Sequence, residues 1–240
     1  MNLPSLVTPH FNATIPSTGQ EIEYRPFLVK EEKILLMALE GGDKKEITKA
    51  TKNIIKSCVI DKININHLAT FDIEYLFLKL RGKSVGEVIK VKVGHSDEDN
   101  ECKHRTEVSI NLDDIKVTAD GVEAEEASID NRIMITDDIG VVLRYPGIDD
   151  IDKIDESAPE SMFDVINNCV EYVFDKDNVY NDFTKKEIKD WVDSLSQKQF
   201  MKMSEFFNTI PKLTHNVEWT CSECGKKDSI ILEGLQSFFM

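Results

Sequence analysis

Near its C-terminus the chain reads Trp219-Thr-Cys221-Ser-Glu-Cys224-Gly-Lys-Lys-Asp228, two thiols on a tight turn closed by a glycine. Two thiolates at that spacing form half of a tetrahedral metal site and require another half. The second half lies far upstream, where Val91-Lys-Val93-Gly-His95 leads into Cys102-Lys-His104. In both places an alternating apolar pair enters the candidate ligands (Val91 and Val93; Val217 and Trp219) and another leaves them (Val108 and Ile110; Ile230 and Leu232). The outgoing pairs sit six and eight residues beyond Cys102 and Cys224, so the correspondence extends past the ligands themselves. These are two related hairpins, and a chain carrying them must bring distant segments together.

Charge narrows the partners. Asp and Glu outnumber Lys and Arg 44 to 29, a net charge of −15, which repels a phosphate backbone; no basic cluster offsets it, so nucleic acid is not an expected ligand. The apolar run Ile34-Leu-Leu-Met-Ala-Leu39 is far too short for a membrane span, and Met1-Asn-Leu-Pro lacks the basic start of a secretory signal, so no membrane insertion and a cytosolic setting are expected. Five scattered cysteines fit no disulfide framework and suit a reducing compartment. Cys58 and Cys169 fall among helical apolar positions and read as small core residues.

The N-terminal segment through Phe11 to Leu28 reads as a hairpin turning at Pro16-Ser-Thr-Gly19. Helical spacing of Ile34, Leu35, Ala38 and Leu39 follows over Val29 to Glu40, then Gly41-Gly42, then a second helix carrying Ile47, Ala50, Ile54 and Ile55, together an antiparallel pair. A third helix, capped by Thr70 and almost wholly apolar from Phe71 to Leu80, belongs at the centre. Strands are expected at Val88–Val93, Thr106–Leu112, Arg132–Ile135 and Val141–Arg144. Ala119–Asp130 reads as a charged mobile loop, and the acidic run from Asp149 to Glu156 as a hinge or a solvated helix face. The last third reads as helical up to the terminal hairpin. Capping-box starts are expected at Ser157/Glu160, Thr184/Glu187 and Ser196/Gln199, with Met162, Phe163, Ile166, Cys169 and Val173 in the first helix and Phe200, Met203, Phe206 and Phe207 in the last.

The hairpin repeat aligns His95 with Cys221 and Cys102 with Cys224, giving one His and three Cys around one structural zinc ion. His104 is the substitute ligand if the His95–Cys102 loop cannot close, and His215 is a third option. A redox role for the C-x-x-C is disfavoured because no helix follows it to lower a thiol pKa. His10 and His67 are isolated. No nucleophile elbow, phosphate loop, dinucleotide fingerprint or H-E-x-x-H is present, so nothing points to an enzyme.

Two longer segments carry a resemblance. Glu23-Tyr24-Arg25-Pro26-Phe27-Leu28-Val29-Lys30-Glu31-Glu32-Lys33-Ile34-Leu35 and Phe71-Asp-Ile-Glu74-Tyr75-Leu-Phe-Leu78-Lys-Leu-Arg81-Gly-Lys-Ser84-Val85-Gly86 resemble the baseplate hub assembly family of T-even-like contractile-tailed phages. Thr136-Asp-Asp-Ile-Gly140-Val-Val-Leu-Arg-Tyr145-Pro146 and the terminal C-x-x-C hairpin fit the same family. The resemblance implies a C-x-x-C at both hairpins, from which this chain departs with His95 and Cys102 in the first. It also implies a late phage protein in the host cytoplasm or the virion baseplate, whose partners are baseplate hub proteins, as hub subunit or assembly factor without catalytic residues.

Taken together, the expected fold is α+β, mixed helices and short antiparallel strands with two zinc-knuckle-like β-hairpins packed together. An N-terminal region, 1–146, holds the hairpin at about 88–112 and a helical region, 147–240, the hairpin at about 213–233, unless both form one unit. Arg25, Phe27, Lys30 and Glu31 mix an aromatic anchor with charges and are candidate partner-binding residues, with helix capping and core packing as their alternative role. Acidity favours basic partner patches and discourages self-association. The competing readings are a zinc-ribbon nucleic-acid-binding or regulatory protein, which needs more basic residues near Cys221 than Lys226 and Lys227, and a metal-dependent hydrolase, which needs an open coordination position.

Overall fold

A computed structural model describes residues 6–95, 102–119, 122–123, 131–151 and 160–238. Among them the chain forms seven helices and four small antiparallel sheets. The strands β1 (Phe11–Thr14) and β2 (Glu21–Tyr24) make the first hairpin, followed by α1 (Val29–Gly41), α2 (Lys44–Cys58) and α3 (Thr70–Val85). Next come the hairpin β3 (Val88–Val93) and β4 (Thr106–Asn111), then β5 (Lys116–Ala119) and β6 (Val122–Glu123). The second half holds β7 (Arg132–Met134), β8 (Gly140–Leu143), α4 (Ile148–Ile151), α5 (Glu160–Asn168), β9 (Val170–Phe174), β10 (Val179–Tyr180), α6 (Lys185–Asp193), α7 (Gln197–Asn208) and the hairpin β11 (Lys212–Thr220) and β12 (Lys227–Glu233).

Alternation drives the hairpins. Ile89, Val91 and Val93 turn inward while Val88, Lys90 and Lys92 face water, and on β11 Leu213, Val217 and Trp219 do the same. Helix α3 is buried on two sides. Phe71 and Leu78 join Val91, Val93, Val217 and Trp219 in one core, while Ile73, Leu76, Phe77 and Leu80 meet Ile22, Tyr24, Ile54 and Cys58 in a second. A third core lies between the β7–β10 sheet and helices α5 to α7, built on Val141, Leu143, Ile166, Val192, Met203 and Phe206. Tyr145 packs against both the first core and the third, and β5 pairs with β11, so contacts run across position 146. No helix among the described residues is long and apolar enough to cross a membrane.

Several local expectations are corrected. Thr70 does not cap α3. The Asp72 carboxylate does, accepting the Ala69 N–H at 2.9 Å while also taking the Ser17 N–H and hydroxyl from the first hairpin's turn, and Thr70 instead donates to the Pro146 carbonyl. Helix α1 forms, but only Leu35 and Ala38 of its four spaced apolar residues turn inward; Ile34 and Leu39 are exposed. The last third is not wholly helical, because α5 stops at Asn168 and Val173 lies in β9, whose valines and aromatic residues suit a strand beside β8. Strand β5 lies just ahead of, and partly within, the stretch read as a charged loop, most of which falls outside the described residues, as do Asp152–Glu156 and the Ser157 cap. The boxes at Thr184/Glu187 and Ser196/Gln199 form as read, with Glu187 and Gln199 accepting the cap residues' N–H groups.

The repeat is wider than the two hairpins. Arg25, after β2, donates its backbone N–H to the Cys58 carbonyl and its guanidinium to the Pro26 and Ser57 carbonyls and to Glu31, which accepts the Leu28 N–H. Arg144, after β8, donates its N–H to the Cys169 carbonyl and its guanidinium to the Tyr145 and Asn168 carbonyls and to Asp150, which accepts the Gly147 N–H. In each half one arginine ties a strand end, a helix start and the C-terminus of a later helix. Each half also ends with a helix (α3 or α7) leading into a ligand-bearing hairpin.

Candidate metal centre

The two hairpins meet at their turns. The Ser222 N–H donates to Thr106 Oγ1 at 3.2 Å, and the His104 ring lies 2.8 Å from the Ser222 hydroxyl. The C-terminal turn is fixed by its own backbone: Cys221 N–H donates to the Lys226 carbonyl and Gly225 N–H to the Cys221 carbonyl, with Gly225 at φ 70°, a conformation that favours glycine. This geometry aims both thiols of the turn toward the β3–β4 hairpin.

There they meet His95 and Cys102. The four donor atoms of His95, Cys102, Cys221 and Cys224 all lie within 4.8 Å of one another. Cys102 Sγ is 3.8 Å from Cys221 Sγ, and His95 Nε2 is 3.4 Å from Cys224 Sγ. A tetrahedron with metal–sulfur bonds of about 2.3 Å and a metal–nitrogen bond of about 2.0 Å has sulfur–sulfur edges of about 3.8 Å and sulfur–nitrogen edges of about 3.5 Å. These two pairs sit at coordination spacing, and the cluster can hold a metal ion. His104 is outside the set, occupied by Ser222 and by Glu223 at 3.3 Å, and His215 lies along β11 opposite Leu232.

The surroundings prepare the ligands. His95 Nδ1 is 2.8 Å from Asp228 Oδ2; since a carboxylate only accepts, Nδ1 carries a proton, and Nε2 is the nitrogen that faces the cluster. The ring also packs on Trp219, centroids 4.8 Å apart. Without metal, Asp228 first, then Cys221, raise the His95 pKa to about 9. The Cys221 thiol is drawn down to about 5, first by the Cys224 backbone N–H and then, against its burial, by the Glu223 N–H and His95. Cys102 accepts a lowering hydrogen bond from the His104 backbone, but burial and the Cys221 and Cys224 sulfurs raise it on balance. Cys58 and Cys169 differ in kind: burial pushes them up to about 11 and about 12, as expected of inert core thiols. Four protein donors fill a tetrahedral shell, which is the chemistry of a structural centre.

A family model described as T4 bacteriophage base plate protein matches residues 8–240, nearly the whole chain. The chain belongs to this family. Neither the curated proteins nor the solved structures compared with it give a match.

In this base plate family member the candidate partner-binding residues occupy a different setting from the candidate metal ligands. Phe27 and Glu31 are buried, Arg25 is largely enclosed by its bonds to Glu31 and to the Pro26 and Ser57 carbonyls, and Lys30 alone is well exposed. Their geometry is that of capping and core packing: Glu31 caps α1 at Leu28, and the Phe27 N–H donates to Ser84 on α3. Buried atoms cannot anchor a partner, so Phe27 and Glu31 act on any outer surface only through the position of α1. Sequence reading also missed Asp228, which orients His95. Its signal was its register: Asp228 stands opposite Trp219 on the hairpin, one step from the ligand turn.

Proposed function

We propose that this protein is a baseplate hub assembly factor or hub subunit that works through protein–protein contacts during virion morphogenesis, its ligand hairpins clasped by one structural zinc ion. The observation that carries the reading is membership of the base plate family along residues 8–240 in a molecule whose best-formed polar centre is a closed four-donor cluster. A borderline-soft ion with no geometric preference of its own suits one imidazole and three thiolates, which favours zinc among the divalent metals. The zinc supplies cross-linking alone; His95, Cys102, Cys221 and Cys224 hold it, and no residue is assigned a catalytic role. The mechanism is presentation of a rigid surface that binds an assembly-competent conformation of a hub protein more tightly than its alternatives.

Nucleic acid is an unsuitable partner. Lys226 and Lys227 beside the cluster are balanced by Glu218, Glu223 and Asp228 within a chain of net charge −15. The setting is the host cytoplasm during assembly, with the virion baseplate as the destination of a hub subunit. Co-expression with each hub protein in turn, followed by affinity purification and elemental analysis, tests both parts. One zinc per chain and stoichiometric retention of a hub protein are expected. Retention of none of them, or salt-sensitive binding of DNA or RNA in their place, would overturn the reading.

A further inference from the structure

Helix α1 breaks the usual pattern of a surface helix. Opposite the buried Glu31 its outer face carries Val29, Leu36 and Met37, exposed by 66%, 56% and 73%, with Ile34 and Leu39 exposed on its shoulders. Between Ile34 and Leu39 every side of α1 is apolar, a pattern that belongs in an interior, and within one copy of this chain that stretch has an interior on one side only.

We propose that this face pairs with the same face of a second copy, two α1 helices packing antiparallel about a two-fold axis. The charge order along the helix selects that partner. Lys33 lies toward its N-terminal end and Glu40 at its C-terminal end, both on the exposed face. An antiparallel pair centred between Leu36 and Met37 sets Leu36 of one copy against Met37 of the other. It also brings Lys33 level with Glu40 of the second copy. Self-complementarity of this kind is what an isologous interface requires. The surrounding charge agrees: over residues 29–58, α1 and α2 carry seven lysines against five acids, so the arm is locally positive in a chain of net −15. Repulsion between copies, which acidity otherwise imposes, is reduced here. One helix face per copy falls below the roughly 1,200 Å² of a standard interface, so the dimer is a weak, reversible one.

Sedimentation velocity on the full zinc-loaded chain, from low micromolar to several hundred micromolar, tests this. A monomer–dimer equilibrium with a micromolar dissociation constant is expected. Met37→Asp should hold the chain monomeric throughout. Lys33→Glu and Glu40→Lys should each weaken the dimer about tenfold, each two-fold dimer containing the altered contact twice. An equimolar mixture of those two variants should restore association, because every Lys–Glu pair is re-formed across the heterodimer. All three side chains are exposed, and unchanged circular dichroism and zinc content would confirm intact folds. A parent chain that stays monomeric, including one that associates only when a hub protein is added, overturns the proposal. So does a dimer indifferent to Met37→Asp, or a mixture of the charge variants no tighter than either alone.

Discussion

Asp228 offers the sharpest test of the metal centre, because it touches the ligand set without belonging to it. Its carboxylate lies 2.8 Å from His95 Nδ1, and the two side chains are 20% and 1% exposed, so the imidazole has little access to water as a substitute acceptor. Outer-shell substitutions of this type lower metal affinity by about 10- to 100-fold. Asp228→Asn keeps an acceptor for Nδ1–H and loses the charge, placing it near the lower bound, about 1.4 kcal/mol. Asp228→Ala loses both and leaves an enclosed ring N–H unsatisfied, placing it near the upper bound, about 2.7 kcal/mol. Competition against a chromophoric zinc chelator measures the difference directly. Glu223→Gln is the control, since the Glu223 carboxylate contacts His104 and only its backbone N–H, which the substitution keeps, reaches Cys221, so affinity should be unchanged. If Asp228→Ala binds zinc within a factor of two of the parent while Cys221→Ser abolishes binding, the orienting role of Asp228 is wrong. If Cys221→Ser also binds normally, the four-donor centre itself is wrong.

Zinc binding at neutral pH should release protons, because His95 is held protonated by Asp228 and the Cys102 thiol is raised in the metal-free site; calorimetry in buffers of different ionisation enthalpy should show buffer-dependent heats, and identical heats would contradict this. Glu31→Gln should cost about 2 kcal/mol near neutrality by removing the charge that bonds Arg25 and the Leu28 N–H. Although burial opposes it, Arg25, the Leu28 N–H and Lys30 lower the Glu31 pKa, so its contribution is present above the ordinary carboxylate range and is lost as pH falls through the lowered value. Urea unfolding of parent and variant should therefore converge in acid, and a constant gap would refute the assignment. Gly140→Ala should destabilise by about 1–3 kcal/mol, since an added methyl would lie 2.2 Å from the Phe174 ring that Arg132 stacks upon; Phe174→Leu in the same chain should recover part of that loss.

The juxtaposition of the four donors was more legible in the sequence than the packing around them. Cys221, Cys224, His95 and Cys102 could be paired because a thiol pair on a glycine turn is an incomplete object, and because the flanking valine alternation repeats at matched offsets. The Arg25 and Arg144 arrangements were equally present, with Glu31 and Asp150 each six residues beyond their arginine. They escaped notice because arginine and carboxylate at that separation have no local meaning; only the fold brings Ser57 and Asn168 beneath them. Strands β5 and β9 were missed for a related reason. Each is short, and each is defined by its partner in a sheet, β11 or β8, at a sequence distance that propensity does not sense. The outward roll of α1 follows from burying Glu31, a choice that hydrophobic periodicity alone runs against.

That the two halves share one four-donor cluster bears on how the molecule holds together. Each hairpin supplies two donors, so neither can bind tightly alone, and metal affinity becomes a measure of whether the halves are in register. Register does not depend on the metal alone, because Val91 and Val93 of one hairpin and Val217 and Trp219 of the other already share a core with Phe71 and Leu78 of α3. Apolar burial thus assembles the hairpins, and an ion held by the four donors would lock their tips, where β3, β4 and β11 run out and the contacts of His95 with Asp228, of Ser222 with Thr106 and His104, and of His104 with Glu223 also join them. Chelation should loosen those tips, raising amide exchange near Gly94 and Ser222, well before it exposes α3. Loss of protection in α3 at the same chelator concentration would mean that the metal, and not the core, builds the junction.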